Sequence, residues 1–127
     1  MKLRIKGNSL RLRVSRSEVE RLVDIGRVQE TIDLGWDHAA RLTYALEHAN
    51  IPQEIRVHHQ AQEVIVVLSS ESTRRWAGSA DEVGLYGRLD VYNGELTVSV
   101  EKDFACLDGT VAENEDTFPN PNGGAIC

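Results

Sequence analysis

Two cysteines in 127 residues are too few for a disulfide scaffold. Three prolines and ten glycines exclude collagenous and low-complexity chains. The longest apolar run, Val64 to Leu68, falls far short of the roughly 18 residues that a membrane-spanning helix requires. No Gly-x-Ser-x-Gly elbow occurs, and the one Gly-Gly pair, at 123–124, is followed by no helix pattern, so neither a hydrolase nucleophile nor a phosphate loop is indicated. Stacking aromatics are missing from the basic N-terminal region, and the net charge is −6, which disfavours nucleic acid as a partner. Lys2, Arg4 and Lys6 alternate with apolar residues and do not lead into a continuous apolar segment, so no secretory signal is expected. The chain is therefore expected to be cytoplasmic, with Cys106 and Cys127 as thiols and no membrane partner.

What is present is enough for one soluble domain: 41% hydrophobic and 27% charged residues support a single core. Residues 2–6 and 9–14 alternate strictly between apolar and charged side chains, the signature of half-buried strands. Gly7-Asn8 between them suits a tight hairpin. Ser15-Arg16-Ser17-Glu18 forms a capping box ahead of Val19, Leu22 and Val23 at helical spacing, and Gly26 stops the helix. Further strands are predicted at Val28–Leu34 and Arg41–Glu47, and the pattern restarts after Pro52. Ile55 and Val57 begin a strand, and Glu63–Leu68 forms another. Ser69-Ser70 caps a second helix through Trp76, and Arg88–Tyr92 and Glu95–Val100 flank an Asn93-Gly94 turn.

A shift of 54 positions superposes Leu10, Leu12, Val14, Ser15 and Leu22 on Val64, Val66, Leu68, Ser69 and Trp76. The first strand matches best at a shift of 52, with a second turn two residues longer. Each half then reads strand–strand–helix–strand–strand, as a duplicated unit would. The expected fold is α+β, mainly antiparallel sheet, open or curled into a partly closed barrel, with two short helices. Residues 1–104 form the domain, with halves at 1–50 and 51–104, and 105–127 form an acidic tail containing proline and glycine. Phe118 is the residue in that tail suited to dock onto the domain.

Charge is distributed unevenly. Residues 1–27 carry eight basic and three acidic residues, whereas 101–127 carry one and six. Alternation places Arg4, Lys6, Arg11, Arg13 and Arg56 on what should be one polar sheet face. That face is either an ordinary solvated surface or a site for an anionic small molecule or a protein partner. A second copy of the chain, pairing through exposed sheet edges, is a further candidate partner.

The opening stretch Met1 to Arg13, the Glu101-Lys102-Asp103-Phe104-Ala105-Cys106 segment and Asp116-Thr117-Phe118-Pro119-Asn120-Pro121 together resemble an uncharacterised bacterial domain family of about this length. The resemblance implies one intact domain spanning these stretches. It brings no activity and no catalytic residue with it.

Three other chemistries are weighed against the binding reading. Cys106, Cys127 and His58 or His59 could ligate zinc or copper, but the spacing forms no recognised motif, and adjacent histidines on a regular strand face opposite ways. Cys106 and Cys127 could also form a redox pair if the tail folds back, and such a bridge would stabilise the fold by about 3 kcal/mol. Acidic neighbours Asp103 and Asp108 disfavour an activated thiolate there. Polar-barrel hydrolases of phosphate esters hold a divalent metal with alternating glutamates. This chain has the alternating cations but lacks glutamates in its first strand. No cofactor is expected under the favoured reading.

Overall fold

The computed structural model describes residues 1–105 and 114–120. In chain order the elements are β1 (Lys2–Ile5), β2 (Ser9–Val14), α1 (Arg16–Ile25), β3 (Arg27–Asp33), β4 (Arg41–Ala49), β5 (Ile55–Gln60), β6 (Glu63–Ser69), α2 (Ser70–Gly78), β7 (Gly84–Val91) and β8 (Gly94–Lys102). The order β-β-α-β-β occurs twice. Both helices start as their sequences dictate: Ser15 and Ser69 are the N-caps, and Ser15 with Glu18 makes both bonds of the capping box.

The strands form two four-stranded sheets, ordered β1-β2-β8-β7 and β3-β4-β6-β5. The α+β expectation holds; both sheets are mixed and not purely antiparallel, with four of the six strand pairs antiparallel, and neither closes into a barrel. The outer pairs are antiparallel hairpins, while the central pairs β2–β8 and β4–β6 are parallel. The reason lies in how the halves meet. The first hairpin of each half pairs with the second hairpin of the other half, so every sheet contains one hairpin from each.

The register exposes the symmetry. Leu10 lies opposite Val98 in one sheet and Tyr44 opposite Val64 in the other, which is the same pair after a shift of 54. Leu3 opposite Leu12 becomes Val57 opposite Val66 under that same shift. The shift of 52 expected for the first strand is thereby corrected: the two turns are equally long. Ala61 takes the left-handed backbone of Gly7, with φ of 46° and 55° respectively. Two length differences offset each other: Gly84 takes the place of Arg27 three residues late, and the β7–β8 turn is three residues shorter than the β3–β4 loop, which restores the shift of 54 in β8.

Equivalent positions build one core. Leu12 and Val66, Val14 and Leu68, Leu22 and Trp76, Val28 and Leu85, and Leu46 and Val100 are all buried, and all belong to a single apolar cluster between the sheets and helices. Residues 114–120 return to this body. Phe118 pairs with Phe104 as a short parallel bridge and packs against the cluster. The Asp116 carbonyl accepts from the Arg16 amide at 2.9 Å, and its carboxylate accepts from the Ser17 amide at 3.0 Å, so this segment caps the start of α1. The Ser17 hydrogen bonds hold the Asp116 carboxyl below its ordinary value.

Candidate functional site

Alternation along β2 and β8 sends Leu12, Val14, Val98 and Val100 into the core, so the residues between them form the outer face of the first sheet. Its cross-strand rows run Lys2–Arg13–Glu101–Gly84, then Arg4–Arg11–Ser99–Tyr86, then Ser9–Thr97–Arg88, and last the acidic pair Glu95–Asp90. Two of these rows place like charges directly opposite each other on β1 and β2, an arrangement that destabilises a hairpin unless the charges find partners.

Some do. Asp103 receives Lys2 at 3.0 Å and Arg13 at 3.7 Å. Glu101 pairs with Arg11 and accepts the Tyr86 hydroxyl at 2.9 Å. Burial and the Glu101 carboxylate push the Tyr86 phenol up to about 12. Arg4, Lys6 and Arg88 remain without an ion-pair or side-chain hydrogen-bond partner among the described residues. Of the five cations expected on one face, the structure brings Arg4, Lys6, Arg11 and Arg13 together, with Lys6 in the hairpin turn. Arg56 lies on β5 in the second sheet, hydrogen-bonded to the Gln53 amide oxygen at 2.6 Å.

The outer face of the second sheet serves as an internal comparison, because symmetry makes it equivalent. There Ala45, Ile65 and Val67 replace Ser99, Arg11 and Arg13. Arg27 pairs with both Glu47 and Glu63, and Arg41 with Asp33 at 3.4 Å. The two faces share a backbone and differ in charge: one is largely self-neutralised, the other leaves cations open.

Of the residues considered for metal, Cys106 and Cys127 lie outside the described residues. His58 and His59 are exposed neighbours on β5, opposite Ile65 and Val64, so they project to opposite sides of the sheet. Among the described residues no group of three or more His, Cys, Asp or Glu side chains is arranged to hold a metal ion. No helix among them is long and apolar enough to cross a membrane.

One residue of chemical interest escaped the sequence reading. Lys102, only 3% exposed, ends β8 at an inward position. Its ammonium donates to the Ser79 carbonyl and lies 5.9 Å from the Trp76 ring and 5.4 Å from the Phe118 ring. Burial lowers its pKa from the ordinary value, and the Glu82 and Asp81 charges offset this only in part. The signal was available: Val98, Val100 and Lys102 share one phase of the alternation.

The architecture defines a class, a domain of two β-β-α-β-β halves that exchange hairpins to build two mixed sheets. By comparison with family models, residues 1–122 match a family of unknown function, DUF7009, and the chain belongs to it. No curated protein and no solved structure matches the chain significantly.

Proposed function

We propose that the protein is a non-enzymatic, cytoplasmic binding protein that recognises an acidic segment of a protein partner through the basic outer face of the first sheet. The observation that carries this reading is the pair Arg4 and Lys6, left without side-chain partners beside the like-charge rows of β1 and β2, with Arg88 two strands beyond β2, next to the Asp90–Glu95 row. A carboxylate-bearing chain would supply the counter-charge that Arg4 lacks, since Glu101 already meets Arg11. Small-molecule sites are concave, and the hollow of about 510 Å³ at the Lys2–Arg13 end of this face is lined by Glu18, Glu30, Asp103 and Asp116 as well, a poor setting for a small anion. That favours an extended chain over a small anion on the same face. Nothing among the described residues favours the metal, thiol or phosphate-ester alternatives over this one.

Arg11 and Arg13 are poor positions for a test, because reversing them breaks their contacts with Glu101 and Asp103. The clean perturbation is Arg4→Glu with Lys6→Glu. Binding of a fluorescein-labelled oligoglutamate peptide, followed by anisotropy at low salt, should weaken about tenfold or more, as expected for two ion pairs of up to about 1 kcal/mol each. Arg74→Glu, an exposed cation on α2, should leave it unchanged. Equal affinity of the double variant and the parent protein would refute the assignment.

A further inference from the structure

A cavity of about 550 Å³ opens where α1, the end of α2 and the returning segment meet, lined by Arg16, Val19, Ala77, Lys102, Phe104 and Phe118 among others. A second hollow of about 320 Å³ shares Val19, Glu20, Ala77 and Gly78 with it and continues past Val23. The two form one groove between the helices. Val19, Val23 and Ala77 give it an apolar floor with Glu20 and Asp24 at its margin, and its charged end holds Lys102 and Arg16 together with Asp81.

The charged end is unusual in two respects. The Phe118 ring has two cations against it, Arg16 at 5.5 Å and Lys102 at 5.4 Å from the centroid. Neither has a carboxylate within ion-pairing distance among the described residues. Of the two acidic residues whose charges reach Lys102, Glu82 is engaged by Arg75 at 2.9 Å, and Asp81, which also lines the cavity, makes no ion pair with it among the described residues. An ammonium has three donors, and among the described residues the one acceptor for this one is the Ser79 carbonyl. A buried cation so placed is costly unless an anion meets it. Symmetry sharpens the contrast: the equivalent of Lys102 under the 54-residue shift is His48, whose ring is satisfied by the Ser70 hydroxyl at 2.8 Å. The halves agree in their core and differ here.

We propose that this groove binds a small monocarboxylate with an apolar tail, the carboxylate meeting Lys102 and Arg16 and the tail lying along Val19, Val23 and Ala77. This site is separate from the sheet face and does not depend on it.

Decanoate, with 1-decanol as the uncharged match, is the probe. Calorimetric titration of the full chain should show decanoate binding at least tenfold more tightly than 1-decanol. Lys102→Met should abolish that preference while leaving the alcohol's affinity unchanged, and Arg16→Gln should reduce the preference by about threefold, the loss of one exposed charge. If Lys102→Met does not fold, Val23→Asp should reduce binding of both probes, because it charges the tail's path. No decanoate binding, equal binding of both probes to the parent protein, or a preference that survives both Lys102→Met and Arg16→Gln would overturn the proposal.

Discussion

Trp76 is the largest fully buried side chain, and its loss tests how the two halves are joined. It occupies the position that Leu22 holds in the first half, and its indole nitrogen donates to the Val83 carbonyl at 3.1 Å. Trp76→Leu therefore installs the other half's residue in a space shaped for indole. Truncating a buried aromatic to alanine costs about 3–5 kcal/mol, and leucine retains roughly half of the contact, leaving a loss of about 2 kcal/mol. The Val83 carbonyl also loses its partner, at about 1 kcal/mol or more. A total near 3 kcal/mol is a large share of the roughly 5–15 kcal/mol that holds a domain together. Urea unfolding followed by circular dichroism should show the midpoint falling with an unchanged slope. Fluorescence supplies a second readout, because the remaining tryptophan, Trp36, is fully exposed. Native Trp76→Leu protein should then emit like an unfolded chain. A loss below about 1 kcal/mol, or native emission still shifted to the blue, would refute the placement of Trp76 at the centre of the core.

Three further outcomes follow from single contacts. Ser15→Ala removes the acceptor of the α1 capping box and should lower stability by about 1 kcal/mol in denaturant unfolding. Its largest effect should appear above the acid limb: burial alone would raise the Glu18 carboxyl, yet the bonds from the Met1 amino group and Ser15 hold it below its ordinary 4.5. The stability Glu18 contributes is present above pH 4.5 and fades as pH falls through the lowered value. Tyr86 behaves oppositely. Its phenol, ordinarily at 10, is raised to about 12, so the folded state holds the proton more tightly, and stability declines as pH rises between those values. Tyr86→Phe should flatten that alkaline decline in melting temperature measured against pH. Gly84→Ala places a methyl 2.6 Å from the Val100 carbonyl oxygen. The β7 backbone must move away, costing about 1–3 kcal/mol by thermal or urea unfolding.

Much of the architecture was legible because each local signal had one physical meaning. Alternation in β1, β2 and β8, and the serine caps of both helices, identify elements and their buried sides without reference to the rest of the chain. Alternation does not say which strand lies alongside. Leu10 and Val98 have to face inward whether β2 pairs with β8 or with a strand of its own half, so the hairpin exchange and the parallel pairs were invisible. The start of β7 was missed because Gly84 and Gly87 interrupt its pattern. Gly87 is there for a packing reason: a Cβ at that position would lie 3.2 Å from the Ile55 Cβ, where the edges of the two sheets meet. The first-strand shift was misjudged because apolar identity favoured Ile55 as the match of Leu3, while the turn geometry at Ala61 fixes Val57 instead. For the candidate face, residue type located the cations but not their partners. That Glu101 and Asp103 neutralise Arg11 and Arg13, leaving Arg4, Lys6 and Arg88 open, depends on the β2–β8 register. Lys102 was legible in principle, as a charged residue in the inward phase of a strand.

The most direct test of the sheet-face reading is residue-resolved. Nitrogen-15-labelled protein titrated with unlabelled oligoglutamate should show amide shifts concentrated on β1, the Lys6 turn, Ser9, Thr97 and Arg88. The second sheet's equivalent face, around Ala45 and Ile65, should stay still, and the shifts should vanish as salt is raised past the screening range. Shifts centred on α2 or spread evenly over both sheets would contradict the account.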